Sequence, residues 1–541
     1  MAAVSVYDGD ITFAVRRAML GLTLLAAALV PSVYSQATFD NPALYADFAD
    51  NDISTGPDGG YYFSASNMHY SPGAPILRSD DLLNWKLIGH SVPTLATFGS
   101  KYEMTGNLAY TRGTWASTMR YRPSNGRWYW YGCTDFTNSW VFTASSPEGP
   151  WDNGKKISGT CFYDCGLLVD DDDTMYIVYG KNDVNVATMS KDGMSISKTT
   201  PAFALPQDGL QYIEGNRMYK RKGIYYILDN DPNTRTTMIW KSDKPTGPWV
   251  RKNLGVNVKG PLPPFTVPHQ GSLVETPGDH WFFMSFQWIF PAGRIPVLAP
   301  ISWGSDGYPI LKTESGNKWG LTYPEPISPQ VFTPSWQRND TFSGSSLDVH
   351  WEWNHAPDPS GFSVKNGVTL RTVTVTKDLF KARNTLTHRT FGPRSVATIT
   401  LDISKMADGD EAGLASFRDW TATIGLVRTG GTFRIQNIQG MTQDPTKSWA
   451  TLDTGNTIAT ATLPGDTTTV YLRGTMILGG DSSKECSFEY SLDGQSFTAL
   501  GDGYTMNSDW RYFQGQRWAI YSFATKALGG SVTLKKFEMS G

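Results

Sequence analysis

Four cysteines among 541 residues are too few to build a disulfide scaffold. Charge is scarce as well: 18% of residues are Asp, Glu, Lys or Arg, and the formal net charge is −3 with both signs interspersed. Such a balance supplies no basic face for nucleic acid or an anionic membrane. Beyond Val30 no apolar run approaches the roughly 18 residues that would suggest a membrane span. A serine-hydrolase elbow, an H-E-x-x-H pair and a phosphate-binding loop are all missing, which removes three common chemistries. Aromatic residues and turn formers are plentiful instead: 19 Trp, 25 Tyr, 26 Phe, 53 Gly and 32 Pro. That mixture excludes a coiled coil, a disordered tail and a collagen-like rod. It suits a β-rich globular chain with aromatic surfaces of the kind that stack on sugar rings.

Arg16-Arg17 precede a run of mostly Ala, Leu and Val from Ala18 to Val30, and compact residues lead up to Gln36. This pattern predicts a secretory signal peptide over residues 1–35 and a secreted mature chain. Cys133 and Cys161 can pair; Cys161 and Cys165 can pair only if the chain turns between them. Asn339-Asp340-Thr341 is a glycosylation sequon, expected at the surface.

A loose repeat follows, in which a turn leads into an aromatic strand and then a second strand. The aromatic strands are Tyr61-Tyr62-Phe63, Trp128-Tyr129-Trp130-Tyr131, Tyr176-Ile177-Val178-Tyr179, Tyr225-Tyr226-Ile227-Leu228 and Trp281-Phe282-Phe283-Met284. Units recurring about every 50–65 residues, with no helical period between them, predict a five-bladed β-propeller over 36–325. A Pro-rich linker is expected over 326–339. From about residue 340 the texture changes to Thr/Val-rich strands split by Gly, Asp and Asn turns, predicting a β-sandwich over 340–541. The fold class is all-β.

A propeller gathers loops from every blade at one end of its axis. Three carboxylates lie between apolar or aromatic neighbours where blades begin: Asp50 in Phe48-Ala49-Asp50, Asp164 in Phe162-Tyr163-Asp164-Cys165, and Glu214 in Tyr212-Ile213-Glu214-Gly215. A charge in such a setting is costly unless it is paired or used. Carboxylates in unlike environments supply an acid and a base for glycosidic cleavage, and a third tunes a pKa.

These segments, with Asn41-Pro42, Pro72-Gly73-Ala74-Pro75-Ile76-Leu77-Arg78-Ser79, His269-Gln270-Gly271 and Gly293-Arg294, resemble glycoside hydrolase family 43. The resemblance implies a five-bladed catalytic propeller with Asp50 as general base, Glu214 as general acid and Asp164 as pKa modulator. The base usually precedes Pro in that family; here Asn51 follows Asp50, and Asp52 is a competing carboxylate. Arg294 fits the family's substrate-contacting arginine. Trp115, Tyr163, His69, Tyr70 and Gln270 are the other expected sugar contacts. His269 matches a histidine near the propeller axis, where some members hold calcium, reached here through water. No cofactor is otherwise expected.

The segment Asn67-Met68-His69-Tyr70-Ser71-Pro72-Gly73, with Tyr163-Asp164-Cys165-Gly166, resembles the arabinofuranosidase branch acting on disubstituted xylose in arabinoxylan. The expectation is a monomeric, inverting exo-glycosidase taking arabinoxylan or its oligosaccharides. A β-xylosidase and a non-catalytic arabinoxylan-binding propeller are the alternatives. Asn230-Asp231-Pro232-Asn233 and Asp170 to Asp173 read as turns.

Overall fold

The computed structural model describes residues 37–541 except 158, 208, 328–335 and 481–483. The expected signal peptide and most of the expected linker lie outside the described residues. Residues 52–311 fold into five four-stranded antiparallel sheets, the blades of a propeller. The innermost strands are Asp52–Thr55, Thr118–Arg122, Gly166–Val169, Glu214–Arg221 and Gly271–Thr276, and each contacts its neighbours in a closed ring. The repeat read from the sequence is the second strand of each blade: Tyr61–Ser64, Arg127–Thr134, Met175–Tyr179, Ile224–Asp231 and His280–Ile289. These strands are packed between adjacent blades on both faces, so their apolar and aromatic residues run continuously instead of alternating. The ring is fastened where Thr38–Asp40 pairs with Thr322–Pro324. Asn41 adds a side-chain clasp, donating to the carbonyls of Leu298 and Gly320 and accepting from Leu298 N–H.

A β-sandwich of a nine-stranded and an eight-stranded sheet follows. Its strands show the one-sided burial of an antiparallel sandwich, as in Arg394–Asp402, where every second residue is buried. Helical elements among the described residues are short 3₁₀ turns. Cys133 is bonded to Cys161, which leaves Cys165 and Cys486 as buried thiols. Asn339 is exposed, as expected of a sequon.

Propeller and sandwich are joined through a shared sheet. Tyr70–Ser71 leaves the first blade and pairs with Trp351–Asn354, becoming the edge strand of the eight-stranded sheet. Beside it, buried Glu352 accepts hydrogen bonds from His90 Nε2 at 2.9 Å and from Arg517, with Arg389 at 3.4 Å. Arg389 and Arg517 also donate to Asn67 Oδ1. Burial pushes the Glu352 carboxyl up, but the two guanidiniums and His90 hold it well below its ordinary value.

Candidate active site

All three expected carboxylates enter at the start of an innermost strand, where the backbone is distorted. Asp50 has φ 57° and Asp164 φ 45°, left-handed values uncommon for non-glycine residues and concentrated at functional sites. Glu214 opens its strand and is followed by Gly215 at φ 71°. A Cβ at Gly215 would lie 2.1 Å from Gln270 Cβ, so glycine is required both by conformation and by space. The three side chains line one pocket of about 460 Å³.

Their surroundings differ. Asp50 accepts from Arg294 Nη1 at 2.9 and 2.8 Å on its two oxygens, from Gln270 Nε2 at 2.6 Å, and from Ser66 Oγ. Burial pushes its carboxyl up, yet the Arg294 charge and these hydrogen bonds outweigh burial and hold it below the ordinary Asp value. Glu214 is raised, first by burial and then by the Asp50 charge, against partial relief from Tyr212 and Tyr163 hydroxyls. Tyr163 donates to Glu214 Oε1 at 3.3 Å and shares a 2.6 Å hydrogen bond with Tyr212. Asp164 lies well above its ordinary value through burial and the charges of Glu214 and Asp50. Its carboxylate accepts from Gly215 N–H at 3.1 Å, which ties it to the backbone just after Glu214. One carboxylate is thus held ionised while its neighbours favour the proton, the division of labour that general base and general acid require.

Trp115, Tyr163, Gln270 and Arg294, expected as sugar contacts, line this pocket, and so does His269. His69 and Tyr70 do not, which corrects the expectation of sugar contact for both. The strand pairing with Trp351–Asn354 carries that segment into the junction with the sandwich, where both residues are fully buried. His69 accepts from Thr111 N–H at 3.2 Å and packs on Tyr110, His355 and Tyr512, while the Arg517 guanidinium lies 3.5 Å from the Tyr70 ring centroid. Thr111 itself lines the pocket, so His69 supports the wall from behind.

Asp52, the competing base, is engaged elsewhere. It is buried, accepts from Thr118 Oγ1 at 2.7 Å and Met119 N–H at 2.9 Å, and forms ion pairs with Arg120 and Arg217. Arg217 was not singled out from sequence, although it is fully buried near the axis. It donates to the carbonyls of Asp50 at 2.9 Å and Cys165 at 2.7 Å, bracing two of the three acid-bearing turns. Only its place in the string after Glu214 hinted at a role.

The sandwich also reaches the pocket, through Trp449, Arg511 and Phe513 among others. The Phe513 ring lies 5.0 Å from that of Trp115 and 6.0 Å from that of Trp288. Sequence alone gave no signal for this wall, because these residues sit in loops of a separate fold.

The His269 ring is stacked on Trp288 at 4.7 Å and Phe286 at 5.6 Å. Burial, with the nearby Arg294 charge, lowers its pKa to about 4, so it is neutral at physiological pH. Aromatic faces and a guanidinium do not fit calcium, which takes six to eight oxygen ligands, and no cluster of three His, Cys, Asp or Glu suited to a metal occurs among the described residues. Asp170 to Asp173 form a turn between strands, in which Lys220 pairs with Asp170 and Asp171 and Arg122 pairs with Asp173.

Comparison with known proteins agrees with this geometry. The profile of glycosyl hydrolases family 43 matches residues 39–309, and that of the β-xylosidase C-terminal concanavalin A-like domain matches 339–540. A solved structure described as a family 43 enzyme engineered to display both endo-xylanase and exo-arabinofuranosidase activity is 38% identical, with a TM-score of 0.88 over 93% of this chain and 100% of that one. A β-xylosidase of Formosa agariphila is 26% identical over 92% of this chain and 90% of its own length. A non-reducing end α-L-arabinofuranosidase of Bacteroides ovatus is 26% identical over 61% of this chain and 64% of its own. With both profiles matched in order and the acid-bearing turns converging on one pocket, the chain belongs to glycosyl hydrolase family 43.

Proposed function

We propose that this chain is a secreted, inverting exo-glycosidase that removes α-L-arabinofuranosyl side chains from arabinoxylan. The observation that carries the reading is the opposed state of two carboxylates in one pocket: Asp50 held ionised by Arg294, Glu214 pushed toward its protonated form by burial. Glu214 gives its proton to the glycosidic oxygen as the bond breaks. Asp50 takes a proton from water attacking the anomeric carbon on the opposite face, which inverts the configuration. Asp164, hydrogen-bonded to the backbone N–H just after Glu214, keeps the acid oriented. Secretion is supported by the Cys133–Cys161 bond, since such bonds persist in oxidising compartments.

The names of the Formosa agariphila relative and of one from Xylanibacter ruminicola, 29% identical over 68% of this chain, favour a second reading as a β-xylosidase. Chromogenic α-L-arabinofuranoside and β-D-xyloside, assayed side by side, separate the two: the expected kcat/KM favours the arabinoside. A preference for the xyloside would establish the second reading, and inactivity on both would leave a binding propeller. NMR of the first-formed sugar is expected to show an inverted anomer; a retained one would overturn the base assignment.

A further inference from the structure

A second cavity, of about 350 Å³, adjoins the first and shares His269 and Trp288 with it. One wall is the turn after Ile224–Asp231, with Asn230, Pro232 and Arg235; this is the Asn-Asp-Pro-Asn turn that the proposed reaction leaves unused. The other wall leaves Val250–Val256 and carries Asn257, Lys259 and Phe265. Arg235, Asn257 and Phe265 have φ of 55°, 50° and 59°. Left-handed backbone at an arginine and a phenylalanine is unfavourable, and three such residues around one cavity mark a shape kept at a cost. Asn257 N–H donates to the Arg235 carbonyl at 2.8 Å, so the two strained turns hold each other.

This cavity differs from its neighbour in carrying cations without carboxylates, whereas the first pocket holds Asp50, Asp164 and Glu214 beside Arg112, Arg294 and Arg511. Arg235 and Lys259 both line the second cavity, and no Asp or Glu does among the described residues. A third cation, Lys318 Nζ, lies 4.5 Å from the centroid of the exposed Phe265 ring. At the shared wall, Trp288 Nε1 is a buried donor without a hydrogen-bond partner among the described residues. A cavity lined by two cations and no carboxylate, in a chain of net charge −3 and adjoining the first pocket, suits an anionic group on a ligand that reaches both.

We infer that this second cavity is a sugar subsite for a carboxylate-bearing residue, a hexuronate side group of the same xylan-type chain whose neighbouring neutral side group is cleaved in the first pocket. The inference rests on the proposed glycosidase activity. Arg235 and Lys259 supply charge-assisted donors to the uronate carboxylate, and Trp288 donates to a hydroxyl at the wall the two sugars share.

The test uses the full chain and two oligosaccharides of one backbone. Both carry the cleavable arabinofuranose; one also carries glucuronate, and the other has that carboxyl reduced to the alcohol. For the native enzyme at low salt, kcat/KM is expected to be about fivefold to twentyfold higher on the acidic substrate, mainly through KM, two charge-assisted contacts from the exposed Arg235 and Lys259 being worth about that much. The preference is expected to shrink at about 0.5 M salt and to fall to about one in the Arg235→Ala/Lys259→Ala double variant. A native ratio of one or below overturns the subsite, as does a ratio that survives in the variant. An equal loss on both substrates in the variant also overturns it, in favour of a neutral backbone contact. The ratio is taken within one preparation, so partial misfolding cancels, and the native arm decides alone if the variant does not fold. No turnover of either substrate by the native enzyme is the failure of the proposed activity and takes the subsite with it; turnover without discrimination sinks the subsite alone.

Discussion

Arg294→Met removes the guanidinium from Asp50 and leaves a side chain of similar reach. In the native site one nitrogen of that group lies 2.8 and 2.9 Å from the two carboxylate oxygens, and both side chains are buried. Burial alone pushes Asp50 up, and Arg294 is the largest influence opposing it. Its loss therefore reverses the direction. Breaking a buried pair from one side costs about 3–5 kcal/mol. A tenfold change in the ionised fraction needs only about 1.4 kcal/mol. The acid limb of kcat/KM is expected to move to higher pH, so that at about pH 4 the variant loses on the order of tenfold to a hundredfold more activity than at about pH 7. Stability follows the same sign. A carboxyl held below its ordinary 3.8 contributes stability that is present above that value and lost as pH falls through the lowered one. In the variant the raised group does the reverse, so its melting-temperature deficit is largest at neutral pH and narrows on acidification. A pH–rate profile on an aryl arabinofuranoside and thermal unfolding at two pH values read both effects. An acid limb that stays in place or moves down would refute the electrostatic argument, and so would a melting deficit independent of pH.

Glu214→Ala is expected to lose about 10²–10⁴-fold on polysaccharide yet keep most activity on aryl glycosides whose phenol needs little protonation; equal losses on both would deny Glu214 the role of acid. Replacing Cys133 and Cys161 by Ser opens a crosslink spanning 28 residues, worth roughly 3–4 kcal/mol by loop closure, and an unchanged unfolding midpoint would contradict that estimate. Glu352→Gln leaves Arg389 and Arg517 facing a neutral amide in the junction between propeller and sandwich, for about 3–5 kcal/mol. Because the native carboxyl is held well below its ordinary value, the deficit is expected at neutral pH and should narrow as acid protonates the native group; a deficit that widens in acid would reverse the assignment of charge.

The propeller was legible because its second strands are buried on both faces, which writes runs such as Trp128 to Tyr131 directly into the chain. The three acids were legible for a related reason: each is a lone charge among apolar neighbours at a blade entry. His69 and Tyr70 misled because a buried aromatic pair near a blade entry reads the same whether it faces a sugar or a second domain. The decision lay with strand pairing to Trp351–Asn354, a contact more than 280 residues away in sequence. Asp52 and Asp50 also look alike locally. Only the folded chain shows that Arg120 and Arg217 claim the first and Arg294 the second.

The junction explains why the sandwich belongs to the site's frame and is not an appendage. Asp47 precedes the proposed base by three residues, and its two carboxylate oxygens accept from different folds. Oδ1 takes the N–H of Arg294 at 2.8 Å, from the fifth blade, and Oδ2 takes the N–H of Gly515 at 2.9 Å, from the sandwich loop that carries Phe513. The Asp47 carbonyl accepts in turn from Arg389, whose other nitrogen donates to Asn67 Oδ1 and pairs with Glu352. The turn bearing Asp50, the arginine that keeps it ionised and the aromatic wall opposite are thereby held by one buried carboxylate. Such a constellation stays preorganised only while every partner is in place, because each ion or amide left unpaired there would be buried without compensation. The placement of the base is therefore coupled to the docking of a domain that contributes none of the three carboxylates.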